Sequence, residues 1–338
     1  CMLHQPAHSM QERLEALRSL SGREALSGVG RELLSSCHVD CLLQGNLGAD
    51  EAKQLVASFL KPLGISQPLS TLPPMGTAKL PPGWTILERE GTNPEERNGA
   101  VVVTLQVAEQ SATNNLLMGL TDQILKQRFF DDLRTKQQLG YIVSASAYSE
   151  RHSFLGLRLI VQSEKPVQEV LARVREWLDG AWPLLAEGVT EEEFLEYRAA
   201  LVSSYRQRPK SLGEEFGRNW GVVSSRTFDF WRREQLLEQL QGVQLQELRV
   251  FAREKLQHAP TVAVLVNGGN GVSSAGNSGE LGAAAAAATA ASGDWEENWL
   301  RRWSASDVAE FRKGATWLMR PDAVEPSVVA EVPPNSRL

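Results

Sequence analysis

An α+β fold, with a mixed or antiparallel sheet and helices packed on one face, is the class this sequence predicts. Three observations lead there. Runs rich in β-branched and aromatic residues lie from Trp84 to Arg89, Ala100 to Val107, Tyr141 to Val143, Phe154 to Val161 and Thr261 to Val266, which is the composition of strands. A long helical block separates the fourth run from the fifth, so strands and helices are grouped rather than strictly alternating. The 338 residues, 42% hydrophobic and 22% charged, fit a globular protein of one large or two ordinary domains.

The elements follow in order. Leu14, Leu17, Leu20, Leu26, Leu33 and Leu34 predict helix over 10–34, broken at Gly22 and at Gly28-Val29-Gly30. His38 to Leu43 reads as a strand closed by Gln44-Gly45-Asn46. Residues 50–63 read as an amphipathic helix, apolar at Ala52, Leu55, Val56, Phe59 and Leu60. Residues 66–82 hold Pro68, Pro73, Pro74, Pro81 and Pro82, a surface linker. Asn114 to Phe130 is helical, with Leu116, Leu117, Leu120, Ile124 and Leu125 on one side. Its end runs through Phe129, Phe130 and Leu133, and Leu139-Gly140 is the expected stop, since Gly accepts the left-handed conformation that ends helices. After the two strands that follow, Pro166 suits a helical first turn, with Val170, Val174, Trp177 and Leu178 as the apolar stripe. Thr190-Glu191-Glu192-Glu193 is a capping-box start for a helix reaching Arg206. Helices over 212–223, 232–240 and 245–256 precede the last strand. Gly268 to Gly293, rich in Gly and Ser and then Ala, reads as a flexible insertion without function.

Composition narrows the function. A formal charge of −6 argues against nucleic acid as a partner, and no apolar run reaches membrane-spanning length. Cys1, Cys37 and Cys41 are the only cysteines, an odd and low count that fits free thiols in a reducing compartment. Cys37, His38 and Cys41 invite a zinc reading. On a strand, however, 37 and 41 face one side and 38 the other, so a buried structural role is expected instead. The chain opens on Cys1 in what reads as mid-helix, and a fragment of a longer protein is the expectation.

RTKQQLGYIV at 134–143, GLRLIVQSEKP at 156–166, the frame RPKSL…WG from Arg208 and HVDCLLQGNL at 38–47 together resemble the C-terminal half of the insulysin–pitrilysin family, the inverted-zincin metallopeptidases. The resemblance runs from about residue 14 to about residue 265. It implies a sheet-and-helix metallopeptidase domain of the LuxS/MPP type over 83–320, interrupted at 268–293. It also implies that residues 1–65 are the C-terminal part of the preceding homologous domain, built helix–strand–helix. The segment from Asp307 to Lys313 and then from Trp317 to Arg320 resembles the family's closing segment.

Such an enzyme holds zinc through H-x-x-E-H on a helix. None of His4, His8, His38, His152 and His258 stands in that arrangement. His4 and His8 are four apart but lack the intervening Glu, and Pro6 disturbs a helix there. The resemblance therefore implies zinc in the complete enzyme, held by a separate N-terminal half, with none in this chain. It gives Arg134 and Tyr141 the role of reaching across a closed chamber to the substrate. The residues alone also allow Arg134 to cap a helix C-terminus and Tyr141 to be strand core. Arg206, Arg208 and Lys210, with Arg198 one helix earlier, resemble a polyanion-binding region, although Ser211 stands where a further Lys is expected; a solvated face is the alternative. Expected partners are the zinc-bearing half and peptide substrates, with a dimer allowed and neither nucleic acid nor membrane. The rival reading is an inactive subunit or peptide-binding scaffold, capturing extended peptides at an unpaired sheet edge. After a Pro-rich tail over 321–338, Ser336-Arg337-Leu338 resembles the Ser-Lys-Leu peroxisomal address. Cytosol with a share in peroxisomes is expected.

Overall fold

The computed structural model describes residues 4–5, 8, 10–20, 22–65, 69, 75–150, 153–268, 300–303 and 305–319. The low-complexity insertion beyond residue 268, His152 and the Pro-rich tail with its Ser-Arg-Leu end lie outside these.

Val-rich β4 (Gly99–Glu109) is the centre of the main sheet. It pairs antiparallel with β6 (Phe154–Ser163) on one side and with β7 (Thr261–Asn267) on the other. β5 (Ile142–Glu150) completes a hairpin with β6 and forms one edge. Beyond β7 lie β3 (Trp84–Glu90) and β8 (Leu300–Trp303), both joined parallel. The sheet is thus six-stranded and mixed, in the order β5-β6-β4-β7-β3-β8. Val101, Val103 and Leu105 of β4 and Leu157, Leu159 and Val161 of β6 point to the same buried face, as the period of two requires.

That face is covered by helices. α4 (Ala112–Phe130) buries Leu116, Leu120, Ile124, Leu125 and Phe129 against it. Ser111 starts α4 by accepting the Asn114 N–H at 3.0 Å. α5 (Val167–Pro183) adds Val170, Val174 and Leu178. α6 (Glu191–Arg206) begins at the expected capping box, Thr190 and Glu193 each accepting the other's backbone N–H. α7 (Leu212–Ser224), α8 (Arg232–Leu240) and α9 (Leu245–Phe251) follow. The opposite face is partly closed by α10 (Ala305–Gly314), whose Val308 and Phe311 pack with Leu87 and Val262. The expected α+β layering is present, with α10 added on the second face.

The segment read as a linker is ordered at its end. Gly76–Ala78 is a strand, β2, between β1 (His4–Gln5) and β9 (Trp317–Met319) in a small antiparallel sheet. The buried Gln106 amide fixes this segment, donating to the Ala78 carbonyl at 2.7 Å and accepting the Leu80 N–H at 2.8 Å.

Three corrections concern the N-terminal part. α1 (Met10–Ser19) and α2 (Gly22–Ser35) are separated at Gly22, but Gly28 and Gly30 lie inside α2 rather than breaking it. No strand forms from His38 to Leu43, where no described strand runs alongside to accept its backbone groups, and an extended segment without a neighbour has no ladder. The cysteines are not a buried structural pair either: Cys41 is exposed and Cys37 half-buried. α3 (Ala49–Leu60) forms as expected. Leu26, Val29 and Leu33 of α2 and Leu55 and Phe59 of α3 are exposed.

Candidate functional site: an arginine between two aromatic rings

α4 does not stop cleanly. It widens into a π-helical turn, Asp131–Lys136, in which the Gln137 N–H reaches the Asp132 carbonyl and the Leu139 N–H reaches the Leu133 carbonyl. Gln138, with φ of 52°, takes the left-handed conformation expected of Gly140. Gly140 is required for another reason. A Cβ there would stand 1.8 Å from the Gln162 carbonyl oxygen, so the chain crosses β6 where only Gly fits.

This exit puts Arg134 in the middle of the turn and Tyr141 just before β5. The Arg134 guanidinium lies 4.7 Å over the Tyr141 ring and 5.0 Å from the Phe130 ring centre. Among the described residues it has no ion pair. Cation–π contact on two rings orders the guanidinium while leaving its N–H donors available. Tyr141 is 81% exposed, so it is not strand core. Arg134 is half-buried in the turn and does not cap a regular helix end. The two expected residues thus stand together at the sheet end, a cation and a phenol on an open surface. Phe130, the other wall of the stack, was counted only as an apolar helix position; its spacing four before Arg134 was the available signal.

The second cluster surrounds the α6–α7 connection. A cleft of about 390 Å³ is lined by Arg206, Arg208, Lys210, Arg218, Arg233 and Trp231 among others. Arg233 is committed to structure, donating to the carbonyls of Tyr205 at 2.6 Å and Gln207 at 3.1 Å. Burial and the nearby Arg218 charge hold its pKa down. Ser211, the residue standing where Lys was expected, caps α7 by accepting the Glu214 N–H at 3.2 Å. Arg198 is turned elsewhere, donating to the Val243 carbonyl at 2.8 Å. Arg198, on the same helix α6 as Arg206 and not one helix earlier, lines a neighbouring pocket with it, while Arg206, Arg208 and Lys210 come together in this cleft. Arg218, missed in the sequence, joins them only because α7 folds back.

Zinc has no ligand set here: among the described residues no group of three or more His, Cys, Asp and Glu stands close enough to hold a metal ion. His38 contacts Asp40 at 3.0 Å, and His4 lies in a strand rather than a helix. No described helix is long and apolar enough to cross a membrane.

Residues 120–220 match the family model for the PQQ synthase PqqF-like C-terminal lobe domain 4. Human insulin-degrading enzyme is 32% identical over 231 residues, 67% of this chain and 22% of that protein. The chain belongs to the insulysin–pitrilysin family. Insulin-degrading enzyme-like 1, peroxisomal, of Arabidopsis thaliana is 30% identical over 255 residues, 73% of this chain and 26% of that protein. The crystal structure of pitrilysin superposes with a TM-score of 0.68 at 20% identity, over 93% of this chain and 31% of that chain, which supports the fold. This chain spans about a fifth to a quarter of the length of these insulysin relatives, and its matches are to the C-terminal part of the family.

Proposed function

We propose that this chain is the C-terminal, non-zinc-binding part of an insulysin-like zinc metalloendopeptidase. In this reading it forms part of the wall of a peptide-cleaving chamber and contributes Arg134 and Tyr141 to the reacting centre. The observation that carries it is the exposed stack of these two residues at the sheet end. As water adds to a peptide carbonyl, negative charge grows on the oxygen. A fixed phenol O–H donates a hydrogen bond to that oxygen, and a fixed guanidinium supplies the opposing charge. Zinc belongs to the other half in this proposal, and residues 1–65 complete the preceding homologous domain. The open apolar faces of α2 and α3 support that, since such faces seek cover.

The test is reconstitution. The purified chain is mixed with a zinc-bearing N-terminal half, and cleavage of a short fluorogenic peptide is followed. Arg134→Ala and Tyr141→Phe are each expected to lower kcat on the order of a hundredfold with the complex still assembled. Full activity in both variants rejects the assignment.

The second reading is an inactive subunit or scaffold, which like the first needs no metal-ligand cluster among the described residues. Its edge-strand capture mode has little support. On the outer strand β5, Val143 and Ala145 are buried, and the Ala147 N–H is already taken by Asp122. Finding H-x-x-E-H in the reading frame upstream of Cys1 decides for the enzyme. We also infer a cytosolic location with a peroxisomal share, supported by the peroxisomal Arabidopsis relative; Ser336-Arg337-Leu338 would serve as the address where it stands at a free C-terminus.

A further inference from the structure

We propose that Asp132, bonded to the indole of Trp177, is the positioning residue that holds the π-helical turn in register and so keeps Arg134 stacked between its two rings. The proposal rests on the reading of Arg134 given above, and it goes one step behind it, to what fixes the guanidinium.

A π-helical turn is looser than the α-helix it interrupts, so it persists where tertiary contacts hold it. Here the contacts lie on both sides of Arg134. On the near side, Trp177 Nε1–H donates to Asp132 Oδ2 at 3.0 Å. The other oxygen, Oδ1, accepts from Lys136 Nζ at 2.6 Å. One carboxylate therefore ties the start of the turn to its own end and to α5. Trp177 is itself fixed, because the Phe129 ring meets it edge-on with centres 4.8 Å apart and planes at 84°. On the far side, Ser163 Oγ donates to the Leu139 carbonyl and accepts the Lys165 N–H at 3.1 Å. Arg134 lies between these anchors.

The two bonds to Asp132 differ in weight. Lys136 is largely exposed, and an exposed ion pair within one helix turn contributes little. The indole bond reaches from a separate helix and is directional, so it sets where the turn sits. The ordinary alternative makes Asp132 one more solvated acid on a helix face. The indole N–H aimed at its oxygen, and the carboxyl held below its usual pKa by these hydrogen bonds against the effect of burial, argue against that.

Trp177→Phe keeps an aromatic ring for Phe129 and removes the N–H. Lys136→Met removes the other bond and serves as comparison. The reporter is the side chain of Arg134 in the chain alone, with arginine selectively labelled for NMR. Stacked between two rings, its δ protons resonate upfield of ordinary arginine. In Trp177→Phe this upfield shift is expected to fall by about half or more with the far-ultraviolet CD spectrum unchanged, and Lys136→Met is expected to move it much less. An unchanged shift in Trp177→Phe overturns the proposal, whatever any assay shows. In the reconstituted peptidase, Trp177→Phe is expected to lower kcat about tenfold with little change in KM, and to add nothing in an Arg134→Ala background, as residues acting through one another do. A lost upfield shift with unchanged kcat leaves the anchor standing and removes the catalytic reading of Arg134, so the two failures are distinguishable.

Discussion

Asp122 Oδ1 accepts the backbone N–H of Ala147 at 2.6 Å, so a side chain of α4 occupies a donor on the outer strand of the sheet. Edge strands invite pairing with other chains, and filling a donor with an inward carboxylate blunts one. Asp122→Ala is expected to cost about 1–2 kcal/mol, since the N–H loses its partner. Asp122→Asn retains an acceptor and is expected to cost less. Urea unfolding of both variants checks the order.

The turn after α4 gives opposite expectations for two neighbours. Gly140→Ala forces a Cβ into the Gln162 carbonyl and is expected to cost more than about 3 kcal/mol or to prevent folding. Gln138→Gly relieves a positive φ and is expected to stabilise by up to about 1 kcal/mol. Thermal unfolding distinguishes them; a tolerated Gly140→Ala contradicts the described crossing.

These two positions show where the sequence was legible. Thr190 through Glu193 marked the start of α6 correctly because a capping box is local: Thr190 and Glu193 hold all the donors and acceptors it needs. The strands of the hairpin were readable from β-branched and aromatic runs, although Tyr141 to Val143 marks only the start of β5, which continues to Glu150. Which residue turns left-handed after α4 was not readable, because Gly140 is demanded by β6, a distant strand, rather than by its own φ. The strand expected from His38 to Leu43 failed for the same physical cause. Its residues suit a strand, but a strand exists only through a neighbour. At the site, Arg134 and Tyr141 came from the motif, whereas Phe130 as the second ring and Arg218 in the basic cleft needed coordinates.

Acid should weaken the anchor at Asp132. Burial alone would raise its pKa, but hydrogen bonds from Lys136 and Trp177 outweigh that and lower it from the ordinary 3.8. A carboxyl lower in the folded than in the unfolded chain contributes stability above the unfolded value, and that contribution is lost as pH falls through the folded one. The unfolding midpoints of the native chain and Asp132→Asn are therefore expected to differ above about pH 5 and to converge below about pH 3. Parallel curves throughout refute this.

The cleft between α6 and α8 carries more cations than acids, with Arg206, Arg208, Lys210, Arg218 and Arg233 against Glu215 and Glu234. Arg208→Ser with Lys210→Ser is expected to weaken binding of inorganic triphosphate at least about tenfold, the loss of one charge-assisted contact or more. Arg198→Ser is expected to leave it unchanged, because that side chain is spent on the Val243 carbonyl. Isothermal titration at two salt concentrations measures both, and equal losses remove the cleft as the site.

Fusing the final ten residues to a fluorescent protein tests the address. Punctate overlap with a peroxisomal marker is expected, abolished by removing Leu338. A uniformly diffuse signal ends that proposal.

The small sheet sets a schedule for biosynthesis. Thr77 pairs with Leu318 and also with His4, so the strand already paired with β1 waits for a second neighbour made after the main sheet. Until the ribosome has delivered Met319, β2 lacks one of its two neighbours. The nascent chain carries that half-finished strand while β3 to β8 are made, so every strand of the main sheet is synthesised before this ladder can close.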